Sequence, residues 1–312
     1  MPVETVKETY TGKVREVVLG SGEGEVKVGG QTTMPFYTFE GDMPNKPKIA
    51  MEVYDETEEW SDWAKEPFAD VIDDPPSWAK KCQDTYKTDM VTLQLRSTDP
   101  NGSNTSADDA AETTKKVLDA IDIPLIVMGS GNIEKDQEVL KKVAEVAHGK
   151  NIAIGPAQED NYKAIAAAAM AYNHKVIAQS PVDINIAKQL NILITQLGVS
   201  ADNIIMDPTT GALGYGLEYT YTIMERLRLA ALQQNDDMTN MPIICDLGLE
   251  TWKTKEAKVG VDEEPTWGDP KTRAITWEAV TANSLMMAGA DILVMRHPEA
   301  IKLVRNIIDS LS

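Results

Sequence analysis

Cysteine and histidine are almost missing from this chain: its 312 residues include two of the first and three of the second. Cys82 and Cys245 cannot frame a disulfide-stapled fold, and they fall short of the thiolate set that an iron–sulfur cluster takes. Cys245 lies in PIICDLG, a buried-strand pattern in which cysteine serves as a small hydrophobe. His148, His174 and His297 fall at a helix end, a strand start and a strand end, which argues against a multi-histidine zinc or iron site. Basic residues are scarce as well. Thirty stand against 49 acidic ones, and a net charge of −19 repels phosphate backbones and anionic membranes, so neither nucleic acid nor membrane is expected as a partner. No apolar run approaches the ~20 residues of a membrane span. The opening MPVETVKETY lacks the apolar stretch of a secretory leader, so a cytoplasmic location is expected. No lysine stands at a strand end as a Schiff base would require. There is no Gly-x-Gly-x-x-Gly after the first long strand and no Walker sequence, which removes the usual nucleotide folds.

What is present is an ordinary globular composition, 42% hydrophobic and 25% charged. Eight short apolar runs recur at 48–55, 89–97, 124–130, 151–157, 174–180, 203–209, 242–248 and 291–297. Their unbroken Val/Ile/Leu character fits strands buried on both faces of a parallel sheet. Helical periodicity fills the gaps: 75–87, 105–121 with Thr105 or Ser106 as N-cap, 133–149, 161–172, and 180–198 with Pro181 in its first turn, then three more. Eight strand–helix units with no second composition zone predict an α/β protein, a (β/α)8 TIM barrel over residues 47–312, ahead of an open doubly wound sheet. Residues 1–46 differ. VREVVLG, GEVKVGG and MPFYTFEG read as short strands broken by glycine, a β-rich extension placed to plug the N-terminal end of the barrel. Two connections exceed simple turns, 56–74 with Trp60 and Trp63, and 249–270 with Trp252 and Trp267. Both leave the C-terminal ends of strands, the face on which barrels build their sites, and their tryptophans suggest a docking surface.

The strand ends supply a polar ring. Its first half is Asp55, then Ser97, Thr98, Asp99 and Asn101, then Ser130 and Asn132, then Gln158, Glu159 and Asn161. Gln179, Asp183, Asp207, Thr209, Thr210, Glu250, Arg296 and His297 complete it. Amides and hydroxyls dominate, which suits hydrogen-bonding a large polar ligand, although the same residues also serve as turn formers and N-caps. Glycines cluster after the sixth strand in DPTTGALGYGLEY, where backbone N–H groups can approach a ligand closely, and GSGN at 129–132 is a weaker copy. Simple turn punctuation is the alternative for both.

GGQTTMPFYTFEG (29–41), PKIAMEVYD (47–55), GPAQEDNYKAIAAAA (155–169), AQSPVDINIAKQLNILI (178–194) and MDPTTGALGYGLEYTYTIMERLRLAAL (206–232) together carry a resemblance over essentially the whole chain. The sequence resembles the small (delta) subunit of the corrinoid iron–sulfur protein, the acetyl-CoA decarbonylase/synthase delta subunit family. The resemblance implies one-carbon metabolism in the reductive acetyl-CoA (Wood–Ljungdahl) pathway of carbon fixation. It implies a heterodimer with the large subunit, which carries the iron–sulfur cluster and a cobalt corrinoid (cobalamin). The small subunit would cover that corrinoid while methyl passes from a methyltetrahydrofolate:corrinoid methyltransferase to acetyl-CoA synthase. On that reading the chain is a carrier subunit rather than a self-sufficient enzyme, with no catalytic or metal-ligating residue of its own. Its corrinoid-facing residues would be Asn101, Asn132, Gln179, Thr209, Thr210, Gly211, Gly214, Tyr215 and Gly216. The Asp-x-His-x-x-Gly cobalt-ligating motif is absent, since His297 sits in MRHPEA. The alternative is a stand-alone pterin-binding methyltransferase-like barrel enzyme, for Asp207-Pro208 with trailing glycines is similar to a strand end of pteroate synthases. Against it, the lysine that often follows those glycines is missing, and the chain continues with Leu217.

Overall fold

In the computed structural model, residues 6–57 and 60–311 are described. Met1–Thr5, half of the opening read as lacking a leader, lie outside them, as do Glu58 and Glu59 of the first long connection and Ser312. The eight apolar runs form eight parallel strands: β3 (Lys48–Tyr54), β4 (Met90–Gln94), β5 (Leu125–Met128), β6 (Ala153–Ala157), β7 (Lys175–Gln179), β8 (Ile204–Asp207), β9 (Ile244–Asp246) and β10 (Ile292–Met295). Their order around the sheet is β8-β7-β6-β5-β4-β3-β10-β9. A parallel bridge between Met206 and Ile243 joins the two ends, with the Met206 N–H donating to the Pro242 carbonyl at 2.8 Å, so the sheet closes into a (β/α)8 barrel.

The helices lie where the periodicity placed them, with ends set by local chemistry. The Ser106 hydroxyl caps α3 (Ala107–Ala120) and the Asn132 amide caps α4 (Ile133–Val146). The helix expected over 180–198 starts later, as α6 (Ile184–Gln196). Asp183 accepts the N–H groups of Asn185 and Ile186, and Pro181 stays in the preceding turn. A capping carboxylate outweighs a proline signal because it satisfies N–H groups that proline merely omits. Among the described residues no helix is long and apolar enough to cross a membrane.

Strand alternation sorts the core into two zones. Ile49, Met51, Val53, Val91 and Leu93 pack outward with the helices, while Ala50, Met90, Ile126, Ala153, Ile177, Ile205, Ile244 and Ile292 fill the lumen. The antiparallel hairpin β1 (Glu16–Leu19) and β2 (Val26–Gly29) pushes Val17, Leu19 and Val28 into that same luminal cluster. The third segment of the extension, MPFYTFEG, is not a strand. Phe36 takes a φ of +63°, and successive turns bond the Tyr37 N–H to the Met34 carbonyl and the Glu40 N–H to the Tyr37 carbonyl. A left-handed residue after Pro35 breaks the extended conformation that alternation suggested.

One buried ion pair ties these parts together. Arg228 of α7 (Leu217–Gln233) is fully buried and donates to the Met241 carbonyl at 3.1 Å, to the Gly289 carbonyl at 2.6 Å and to Asp291. The Asp291 carboxylate also accepts the Ile243 N–H at 2.7 Å and the Gln31 side-chain amide at 2.8 Å. Removing one partner of such a pair leaves a buried charge uncompensated. Arg228→Met is therefore expected to lower unfolding stability by about 3–5 kcal/mol in urea titrations. A loss below about 1 kcal/mol, the range of an exposed pair, would show that the pair is not a structural tie.

Candidate functional site

Above the apolar layers, the same alternation lifts polar side chains into the lumen's C-terminal end: Glu52 and Tyr54 of β3, Thr92 and Gln94 of β4, Gln179 of β7, Asp207 of β8, Asp246 of β9, and Arg296 just after β10. They form two groups. In the first, Arg296 donates to Glu52 at 2.8 Å and to the Tyr54 hydroxyl at 2.9 Å, while Gln94 donates to Asp246 at 2.8 Å. Burial and then the Glu52 charge push the Asp246 carboxyl well above the usual range. In the second, Gln158 donates to Gln179 and Gln179 to Asp207 at 2.8 Å. Burial pushes Asp207 up to about 6, against the pull of Gln179 and the Thr209 N–H.

Gln158 and Gln179 of the second group line an open groove of about 710 Å³ along α6. Its polar lining includes Gln158, Gln179, Asn185 and Gln189, and its apolar lining includes Val182, Ile186, Leu190 and Leu193. A hollow of about 350 Å³ adjoins it through Val182 and Thr209, lined also by Thr210, Gly211, Tyr215, Gly216 and Tyr219. Of the nine sequence-predicted residues, Gln179, Thr209, Thr210, Gly211, Tyr215 and Gly216 are thus brought together, and Gly214 lies in the same loop with φ +77°. Gly211 is sterically required, since a Cβ there would stand 2.5 Å from the Gly216 carbonyl carbon. Thr209 holds a left-handed φ of +63°, with its hydroxyl donating to the Ser180 carbonyl at 2.6 Å. Asn101 and Asn132 line neither hollow. Asn101 is exposed in a turn closed on Asp99, and Asn132 is engaged as the α4 cap.

The tryptophans do not form the exposed docking surface that their loops suggested. Trp252 is buried, its indole N–H donating to Glu278 at 3.0 Å and its ring stacked on His297 at 5.8 Å. Trp60 packs edge-on to Tyr54 and Trp78, Trp63 donates to the Ala257 carbonyl at 2.9 Å, and the Trp267 ring lies under Lys255 and Arg273. Indoles carry a donor and an apolar face at once, and Trp63 and Trp252 have the donor satisfied within the chain. The exposed apolar side chains at this end instead include Val182, Ile186, Tyr215 and Tyr219, which rim the groove and its adjoining hollow.

Sequence reading missed Glu52, Gln94, Asp246 and the luminal course of Arg296. The signal was available for three of them, since Glu52, Asp246 and Arg296 each stand two residues beyond a luminal hydrophobe, Ala50, Ile244 and Val294, while Gln94 follows Thr92. The Asp207 carboxyl gives a direct check. Its folded pKa of about 6 lies above its ordinary 3.8, so folding disfavours the ionised form. That penalty is full above about pH 6, is relieved as pH falls through the folded value, and vanishes below the ordinary one. Asp207→Asn is expected to stabilise the chain by roughly 1–3 kcal/mol near pH 8, with the gain fading toward pH 4. A difference from the wild type that does not change with pH would rule out a raised Asp207.

The groove, the glycine loop and the barrel that carries them can be set beside known proteins. The sequence model of the CO dehydrogenase/acetyl-CoA synthase delta subunit family matches residues 16–308. The acetyl-CoA decarbonylase/synthase complex subunit delta of Archaeoglobus fulgidus is 39% identical over 320 residues, covering 99% of this chain and 70% of that protein. Subunit delta 1 of Methanosarcina thermophila is 40% identical, covering 97% and 71%, and the Methanocaldococcus jannaschii subunit delta is 37% identical, covering 98% and 76%. Among solved structures, the chain is similar in fold to dihydropteroate synthases. That of Xanthomonas albilineans gives a TM-score of 0.61 at 12% identity, covering 95% of this chain and 97% of that one. That of Coxiella burnetii gives 0.60 at 11%, covering 96% and 100%. At such identities the likeness concerns the barrel alone, whereas the matched sequence runs from the luminal hairpin to the last helix: the chain belongs to the CO dehydrogenase/acetyl-CoA synthase delta subunit family.

Proposed function

We propose that this chain is the barrel subunit of a corrinoid methyl carrier within an acetyl-CoA decarbonylase/synthase system, and that the groove along α6 with its adjoining glycine hollow faces the corrinoid. The observation that carries the reading is the groove's lining. Four amide side chains and four aliphatic ones line one open trough, with Glu159 and Asp160 beside them. A corrin presents an apolar ring edged with amide arms, and side-chain amides both donate and accept toward such arms. The exposed Tyr215 and Tyr219 extend this surface beyond the trough. Cobalt, when bound there, supplies the nucleophile for methyl transfer, and the side chains of this barrel orient the ring and exclude water.

The iron–sulfur cluster and the corrinoid's attachment belong, on this reading, to a large-subunit partner. Cys82 in α2 (Pro75–Asp84) and Cys245 in β9 are both buried, and burial pushes both thiols up, away from the thiolate a cluster requires. The partners proposed for the assembled heterodimer are a methyltetrahydrofolate:corrinoid methyltransferase and acetyl-CoA synthase, and the setting is cytoplasmic. A division at residue 46 between extension and barrel is retained as a chain boundary, although the hairpin shares the barrel's core. Asn101 and Asn132 fall outside the proposed contact, which runs instead through Gln158, Gln179 and the 209–216 loop.

A tetrahydropterin in the same groove is the second reading, favoured by the buried Asp207, which accepts from the groove-lining Gln179. The test separates the two. In the assembled heterodimer, Ile186→Glu and Gly216→Val are expected to speed oxidation of the reduced cobalt by roughly three- to tenfold, the equivalent of about 1 kcal/mol of lost docking. The iron content should stay unchanged. Wild-type protection in both variants would place the corrinoid elsewhere. Saturable binding of methyltetrahydrofolate by the chain alone, without a partner, would favour the pterin reading.

A further inference from the structure

The other half of the barrel mouth concentrates positive charge in a chain that carries 19 more acids than bases. A hollow of about 380 Å³ opens there, and four of its lining residues are cationic: Arg96, Arg296, Lys253 and Lys258. The two arginines are fixed from one edge. Arg96 donates through Nη1 to the Ser130 carbonyl at 2.7 Å, and Arg296 donates through Nε and Nη2 to Glu52 and the Tyr54 hydroxyl. Nε and Nη2 of Arg96 and Nη1 of Arg296 bond to no described residue. Lys258 makes no ion pair with any described residue, and Lys253 reaches only Glu250, three residues away. Two acids also line the hollow, and each accepts a hydrogen bond from a loop residue of the mouth. Glu56 accepts from the Ser103 hydroxyl at 2.8 Å, and Asp99 accepts the Asn101 N–H at 2.8 Å.

Aromatic rings close the walls. The Arg296 guanidinium stacks 3.8 Å from the centre of the Trp60 ring, with Tyr54 and Trp252 on its other sides at 5.2 and 5.8 Å. Such stacking holds the guanidinium plane and leaves its free edge pointed for a planar or tetrahedral anion. A lone anion would use the charge but leave the rings and most of the volume unused. We propose that this hollow is a binding site for a phosphate ester, its phosphoryl group held between Arg96 and Arg296 under the two rim lysines and its organic part lying against Trp60 and Trp252. This assignment is independent of the corrinoid reading, which concerns the opposite half of the mouth.

Phenyl phosphate is the probe, titrated into the full chain by calorimetry and by tryptophan fluorescence. Saturable one-to-one binding is expected, with fluorescence quenched and affinity falling as salt rises. Arg96→Gln is expected to weaken it about tenfold. The double variant Lys253→Gln/Lys258→Gln, confined to the exposed rim and therefore sparing the fold, is expected to weaken it about threefold. Phenol and inorganic phosphate, each carrying half of the ligand's chemistry, should bind more weakly than phenyl phosphate. The proposal is overturned if the folded wild-type chain shows no saturable binding, if both variants bind like the wild type, or if either half-ligand equals phenyl phosphate.

Discussion

The Asp291 carboxylate is the point on which the rest of this barrel leans. A closed parallel sheet has to join its last strands to its first, and the seam here runs through β9, β10 and β3. Asp291 stands at the N-terminal end of that seam, where its carbonyl accepts the Lys48 N–H of β3 at 2.8 Å and its carboxylate takes the Ile243 N–H ahead of β9. Arg228 then fastens the seam to α7, and Gln31 fastens it to the extension. A buried carboxylate with so many donors is expensive to place and hard to replace, because each donor would be left unsatisfied without it. The consequence is cooperative, in that the sheet, a covering helix and the hairpin share one anchor.

Above that anchor, the lumen changes from apolar to polar over two residues of strand. Ala50 gives way to Glu52, Ile205 to Asp207 and Ile244 to Asp246. Charges buried so deep survive because they are paired across the lumen, as Glu52 is with Arg296, or because burial favours their neutral form, as at Asp207. The two groups divide the mouth. One half offers amides and aliphatics, the other guanidinium groups and indoles, and the chemistry of each half is set by which strands feed it.

Much of this was legible in the residues. Eight apolar runs of strand length found their strands, and Ser106 found its cap, because parallel strands buried on both faces and capped helices leave strong local marks. The glycines of DPTTGALGYG marked the loop that the structure wraps around Thr209. Other features depend on contacts far apart in sequence. Nothing local distinguishes Arg228 from the exposed basic residues of other helices until Asp291, 63 residues on, is placed beside it. Tryptophan in a long acidic loop reads as surface until Arg296 arrives from the other end of the chain to meet Trp60, and Glu278, 26 residues on, meets Trp252. MPFYTFEG alternates like a strand, but no neighbour offers it a ladder, and Phe36 turns the chain away.

The hairpin that seals the lower lumen has a consequence for traffic. With Val17, Leu19 and Val28 filling the lumen's lower end, the barrel has one door. Anything seated deep in the polar lumen entered through the mouth and must leave by it, past whatever lies over the grooves above. Access to the polar lumen is therefore single-file, and a body resting on the rim would close off everything beneath it.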